Sequence, residues 1–305
     1  MIKNVKARYF QYTLTAATLF SVACSSEPPK QSTPGTGGAG GASSSSTSGS
    51  STGGAGGSGG AGGGASVCDT ALFCDDFEAF AAQGEPSGAW AVSKNKGAAV
   101  VDTTRAHSGK QSVKITTDAS SSYKSVLMAY SDKLPVAANV VHGRMMMWLE
   151  SAPTGTVHWT FIAGQGPVEG QNYTAIYRYG GQHPITNNGA FVGSKLMANY
   201  ETNGIGSDCW HHAKDEVVPV GKWACVEWKF DGPKNEMQFW LDGAEIQTLH
   251  VQGAGQGCVH QPADFPWTAP SFEKMAIGWE SYQADEARTM WIDDVVISEA
   301  PIGCP

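Results

Sequence analysis

The chain has no C-x-x-C pair, no internal repeat and no long stretch with a 3.6-residue apolar period. Positive charge is scarce. There are 20 Lys and Arg against 28 Asp and Glu, a formal net charge of −8. Nucleic acids and anionic membranes recruit proteins through basic surface, so this balance argues against both as partners. The lack of C-x-x-C and of paired Cys/His spacing removes the usual zinc frameworks. The lack of helical periodicity leaves strands as the material of the fold. The longest apolar run, residues 12–23, falls well short of the roughly 20 residues that cross a bilayer as a helix.

That short run has a use of its own. Lys3, Lys6 and Arg8 precede it and small residues end it, the layout of an export signal. Ser21-Val22-Ala23-Cys24 resembles a bacterial lipobox, with Ser21 where Leu is usual. In that reading Cys24 is acylated and becomes the new N-terminus, and Ser25 after it implies the outer membrane. The other reading is an ordinary secretory signal cleaved near Ala23. Residues 35–66 are only Gly, Ser, Thr and Ala and cannot bury apolar surface, which predicts a disordered tether. The expected organisation is therefore a signal over 1–24, a tether over 25–66 and one large β domain over 67–305. Without the signal, 17 basic residues face 28 acidic ones. Six cysteines remain, Cys68, Cys74, Cys209, Cys225, Cys258 and Cys304. An even number in an exported domain predicts three disulfides. The pairings expected are Cys68 with Cys304, closing the domain ends, and Cys209 with Cys225. The protein is expected as a monomer at the cell exterior or outer-membrane surface, touching the membrane only through its lipid.

The clearest pattern lies between Trp223 and Ile246. Trp223, Cys225, Glu227 and Lys229 alternate with Ala224, Val226, Trp228 and Phe230. Met237, Phe239 and Leu241 alternate with Gln238 and Trp240. Asp231 to Asn235 and Asp242-Gly243 supply turn residues. Such a meander has one buried face and needs a second sheet to cover it. Further strands are expected at 72–77, 98–102, 112–116, 124–130, 143–150, 157–163, 173–179, 196–200, 274–282 and 290–298. About a dozen short strands predict an all-β, two-sheet antiparallel sandwich or jelly roll.

The opening CDDFE, then HSGKQSVKI, and the closing WIDDVVI resemble the ends of jelly rolls of the concanavalin A-like superfamily. The middle, with HWTFI, YRYGG, KWACVEWKF and FWLDG, is most similar to the branch holding fungal cellulose-induced proteins and glucuronan lyases. The resemblance implies polysaccharide as partner and a structural Ca²⁺ where the first and last strands meet. Matched onto this chain, its ligands are Glu78, the turn Ser108 to Lys110, and Asp294. It also implies that one sheet carries a groove for a sugar chain. The residues opposite the core-facing sets are Arg144, Trp148, His158, Tyr177 or Arg178, Gln238, Trp240, Glu280 and Tyr282. Aromatic rings offer stacking surfaces for sugars, and Arg, His and Glu offer hydrogen bonds.

β-Elimination of a uronic-acid polymer needs a cation or amide on the carboxylate, a base for the α-proton and an acid for the leaving oxygen. Arg144 or Arg178, His158, and Tyr177 or Tyr179 supply those types. The Q-x-H tripeptide of alginate lyases is absent, as is the E-x-D-x-x-E of jelly-roll glucanases, which places hydrolysis below elimination. A non-catalytic carbohydrate-binding surface protein is the alternative. Asp208-Cys209-Trp210-His211-His212 is expected as a disulfide-pinned loop at the groove rim.

Overall fold

A computed structural model describes residues 66–305. The expected signal, Cys24 and the tether up to residue 65 lie outside the described residues. The strands in chain order are β1 (Phe73–Asp75), β2 (Ala91–Asn95), β3 (Gly97–Asp102), β4 (Ser112–Thr117), β5 (Lys124–Tyr130), β6 (Val140–Leu149), β7 (Trp159–Pro167) and β8 (Thr174–Asn187). There follow β9 (Ala190–Asn203), β10 (Asp208–Val217), β11 (Trp223–Asp231), β12 (Glu236–Leu241), β13 (Ala244–Glu245), β14 (Val251–Gln252), β15 (Gly257–Val259), β16 (Lys274–Ser281) and β17 (Arg288–Ser298). Among the described residues there is no α-helix, as the missing 3.6 period predicts.

Two antiparallel sheets form a sandwich. The first runs β13-β12-β11-β6-β17-β4-β3, with β1 on β17 and β14 on β12. The second runs β15-β10-β9-β8-β7-β16-β5-β2. The Trp223–Ile246 meander lies in the first sheet, and its inner residues need the second as predicted. Phe230 stacks on Tyr179 with centroids 5.8 Å apart, and Phe239 meets Tyr179 at 4.9 Å. The Asp242-Gly243 turn has both residues at positive φ, 50° and 80°, the conformation a two-residue hairpin requires.

Three expectations fail here. Cys68 pairs with Cys74, Cys209 with Cys258, and Cys225 with Cys304. Cys209 and Cys258 face each other in the β10–β15 ladder, and the C-terminal segment folds back over the outer face of β11 to reach Cys225. Asp208 to His212 is the start of strand β10, not a loop, although a disulfide does pin it. Ile162 packs in the core beside Phe161, where strict alternation would turn it outward. A bulge between Thr160 and Ile162 reverses the alternation there.

One buried ion pair ties the ends of β5 and β17. Lys124 and Asp285 lie 3.4 Å apart with side chains 0% and 2% exposed. Asp285 also takes the Arg288 guanidinium, at 2.5 Å. Asp285→Ala leaves two buried cations without their anion and is expected to cost roughly 3–5 kcal/mol in denaturant unfolding. A loss under about 1 kcal/mol would mean that water reaches the pair.

Candidate functional site

Tyr177 and Tyr179, expected as proton donors, are core residues. Alternation along β8 sends them inward and Arg178 outward. Tyr177 donates its hydroxyl to Trp267 O at 2.8 Å and Tyr179 to Leu249 O at 3.1 Å. Both hydroxyls are sealed inside the sandwich and committed to backbone carbonyls, so no ligand on the outer face reaches them.

The remaining expected residues divide between the two outer surfaces instead of sharing one. Arg144, Trp148, Gln238 and Trp240 belong to β6 and β12 of the first sheet. Arg144 donates to Gly303 O at 3.0 Å and holds the C-terminal segment. Trp148 carries Arg105 over its ring at 3.7 Å and Trp223 beside it at 6.0 Å. Gln238 and Trp240 line a cavity of about 480 Å³ with Lys229 and Ile302.

His158, Arg178, Glu280 and Tyr282 come together on the outer face of the second sheet. Trp159 and Trp279 point into the core, which turns Thr160 and Glu280 outward as a cross-strand pair. Bulges flank this pair on both strands, at Thr160/Ile162 and Ile277/Glu280. On β8 the pair Gly180-Gly181 lets β7 lie close. A Cβ on Gly180 would sit 1.9 Å from Trp159 O.

Glu280 is the hub. It accepts from the Tyr123 hydroxyl at Oε1 and the Tyr282 hydroxyl at Oε2, both at 2.5 Å. Arg178 Nη2 stands 4.0 Å from Oε2, and Nη1 pairs with Glu201. Thr160 Oγ1 is 3.3 Å from the Tyr282 hydroxyl. The His158 ring packs 4.6 Å from Tyr282, and the Arg178 guanidinium lies 5.4 Å from the same ring. Asn199 closes the far side and donates to Asp208 Oδ1 at 2.7 Å.

These groups are unusually buried for an outer face. His158 is 8% exposed, Arg178 7% and Glu280 6%. His158 Nε2, Arg178 Nε and Asn199 Oδ1 are inaccessible and have no hydrogen-bond partner. Three polar atoms left unpaired on one spot cost stability unless a ligand meets them. Burial, aided by the Arg178 charge, lowers the His158 pKa to about 4. Burial also raises the Tyr123 and Tyr282 hydroxyls, with Glu280 acting in the same direction. At neutral pH the site therefore presents a neutral imidazole, protonated phenols and a guanidinium.

The sign of the pH effect follows. An unfolded His takes its proton near pH 6.5, whereas His158 in the fold resists until about pH 4. Stability contributed by the neutral form is complete above pH 6.5 and is lost as pH falls from there to 4. The expected loss is on the order of 3 kcal/mol for this residue. His142, lowered to about 4 chiefly by burial, acts in the same window. Denaturation curves at pH 7 and pH 4.5, for the wild type and His158→Gln, measure the share due to His158. An equal pH slope in both would refute it.

Tyr123, Thr160, Asn199 and Glu201 were not singled out from sequence. Asn199 and Glu201 have the outward parity of β9 once Tyr200 is assigned to the core, and that was the available signal. Tyr123 precedes β5 and carried none.

The calcium expectation concerns a different corner. β1 does pair with β17, as the resemblance implies. Glu78 Oε1 accepts from Lys110 N at 2.7 Å and Gln111 N at 2.8 Å. Asp294 Oδ1 accepts from Ser108 Oγ, and Oδ2 meets His107 Nδ1, both at 2.6 Å. The two carboxylates thus grip opposite ends of one turn. The donor set of carboxylate and hydroxyl oxygens suits a hard cation.

Two antiparallel sheets with a polar, half-sealed cluster on one outer face make a jelly-roll sandwich with a candidate site on its surface. The family profile described as Polysacc_lyase-like, Cip1-like, core domain, matches residues 76–300, and the chain belongs to that family. Its fold is similar to that of the cellulose-induced protein Cip1, at 23% identity and a TM-score of 0.53, over 76% of this chain and 100% of that one. A β-1,3-glucanase from Mycobacterium marinum matches at 13% identity and a TM-score of 0.45, over 74% of this chain and 98% of that one. Alginate lyase vAL-1 from a Chlorella virus matches at 11% and 0.42, over 70% and 93%. No curated protein matches the chain.

Proposed function

We propose that the outer face of the second sheet cleaves a uronic-acid polysaccharide by β-elimination. Arg178 faces the uronate carboxylate and makes the α-proton more acidic. His158, neutral at working pH, accepts that proton at Nε2 once the substrate displaces the ring from its buried position. The bond between the β-carbon and the glycosidic oxygen breaks as the new double bond forms, and Tyr282 protonates the departing oxygen. Glu280 orients Tyr282 and Tyr123. The observation that carries this reading is the convergence of an unpaired imidazole nitrogen, a guanidinium and two phenols on one spot. Incubation with glucuronan, alginate and pectate, followed at the unsaturated-uronate absorbance, tests it. Growth of that band supports elimination, and silence on every polymer rejects it.

One observation favours a second reading. Arg178 is already engaged by Glu201 and stands near Glu280, so its charge is largely answered within the protein. A non-catalytic carbohydrate-binding face fits that state, with Tyr123 and Tyr282 as ring platforms. Retained binding to a glycan without any unsaturated product decides for it.

We also propose that Glu78, Asp294 and Ser108 hold a structural Ca²⁺ against the 107–111 turn. Millimolar Ca²⁺ is expected to raise the unfolding temperature, with a gain in stability of about 2.7 kcal/mol at a hundredfold excess over Kd. EDTA should reverse the rise and Glu78→Gln should abolish it. A melting curve indifferent to both ions and chelator rules the site out.

A further inference from the structure

The same outer face continues past Arg178 toward β9 and β10, where a second recess opens. Its volume is about 500 Å³, and His183, Lys195, His211, His212, Lys214 and Gln256 are among its lining residues. No carboxylate lines it. Glu216 stands behind the lining residue Thr248 and accepts from its Oγ1 at 2.9 Å. The reacting end of the face has the opposite character, since Glu201, Glu280 and Asp208 outnumber Arg178 there. Charge on this one face is thus segregated, acidic around Arg178 and basic at the recess.

Histidines form one wall of the recess. His212 Nε2 and His211 Nδ1 are inaccessible and unpaired. Gln256 binds the backbone of His212, accepting from its N–H at 3.0 Å and donating to its carbonyl at 3.1 Å. The rings of His183 and His212 lie 5.1 Å apart. His212 pairs with Met197, Met197 with Gly180 and Gly180 with Thr160, so the recess lies along one row of the sheet from the candidate centre. Two lysines and three histidines lining a recess with no carboxylate in its wall form a receptor for a carboxylate. A transition metal is a poorer fit. Among the described residues, no three ligand atoms of these histidines cluster closely enough to share an ion.

We propose that this recess is an anionic subsite that holds the carboxylate of a second uronate unit of the chain bound across Arg178. It would make the protein selective for polyuronates over neutral glucans although the reacting end carries excess negative charge. The inference rests on the reading of the neighbouring centre as a uronate-binding site, and its test separates the two.

The full chain carrying His158→Ala, to prevent turnover, is titrated calorimetrically with a glucuronan hexasaccharide and with the same oligosaccharide after reduction of its carboxyl groups. Lys195→Ala and Lys214→Ala are each expected to weaken the uronate oligosaccharide roughly tenfold, the effect of one lost charge-assisted contact. His212→Gln should weaken it less, and the reduced oligosaccharide should not respond to any of the three. No binding of the hexasaccharide, binding indifferent to both lysines, or equal losses for the charged and reduced ligands would each overturn the subsite. Lysine-dependent binding without unsaturated product from the wild type keeps the subsite and retires elimination. Elimination with a KM indifferent to both lysines keeps the reaction and retires the subsite.

Discussion

His158→Ala is expected to abolish formation of unsaturated product, with a loss of at least about a hundredfold in rate, the usual contribution of a positioned general base. The substitution leaves the local backbone in place. His158 N donates to Gln283 Oε1 at 2.6 Å and His158 O accepts from Tyr282 N at 3.0 Å, and neither bond involves the imidazole. Truncation removes an unpaired buried nitrogen, so stability at neutral pH should hold or rise slightly. Loss of rate with an unchanged melting curve is therefore the expected signature. Tyr179→Phe is the matched control. It removes a core hydroxyl bonded to Leu249 O and should cost about 1 kcal/mol of stability while sparing the rate. A His158→Ala variant that retains more than about a tenth of the wild-type rate would remove the imidazole from the chemistry.

Trp159→Ala should be the most destabilising single change on this side of the sandwich. Trp159 is fully buried and stacks on Trp279, with centroids 4.9 Å apart and planes 9° from parallel. Its Nε1 donates to Ser194 Oγ at 2.9 Å. Gly181 lies against the ring, and a Cβ there would approach it to 2.4 Å, so the chain has given up a side chain to seat the indole. Removing the ring leaves a cavity that two hydrogen-bonded sheets cannot close. The expected cost is roughly 3–5 kcal/mol, or about 6–20 °C of unfolding temperature in a domain of this size. Because Trp159 stands between His158 and Thr160, activity should vanish at a lower temperature than in the wild type while remaining measurable in the cold. A fall of less than about 3 °C would contradict a close-packed site for the indole.

Alternation along single strands carried most of what could be read in advance. It separates Arg178 from Tyr177 and Tyr179, since neighbours on a strand face opposite ways. The same rule excludes either tyrosine as the acid, since both have the parity that faces the core. Alternation also gave Arg144, Trp148, Gln238 and Trp240 their outward direction. It carries no information on which of two sheets a strand joins, so these four were grouped with residues from the opposite surface. The disulfides were misassigned for a related reason. Cys209 and Cys258 are 49 residues apart and meet only because β15 pairs at the edge of β10.

By itself, the order of residues determined the class of fold and the inward or outward direction of side chains in regular strands. Those properties depend on near neighbours in the chain, on turn chemistry and on the two-residue period of the pleat. Only the folded arrangement decided which outward residues share a surface, where bulges reverse the alternation, and that Tyr123, from a separate strand end, joins Glu280 and Tyr282. These depend on strand pairing between segments more than a hundred residues apart, which local alternation cannot encode.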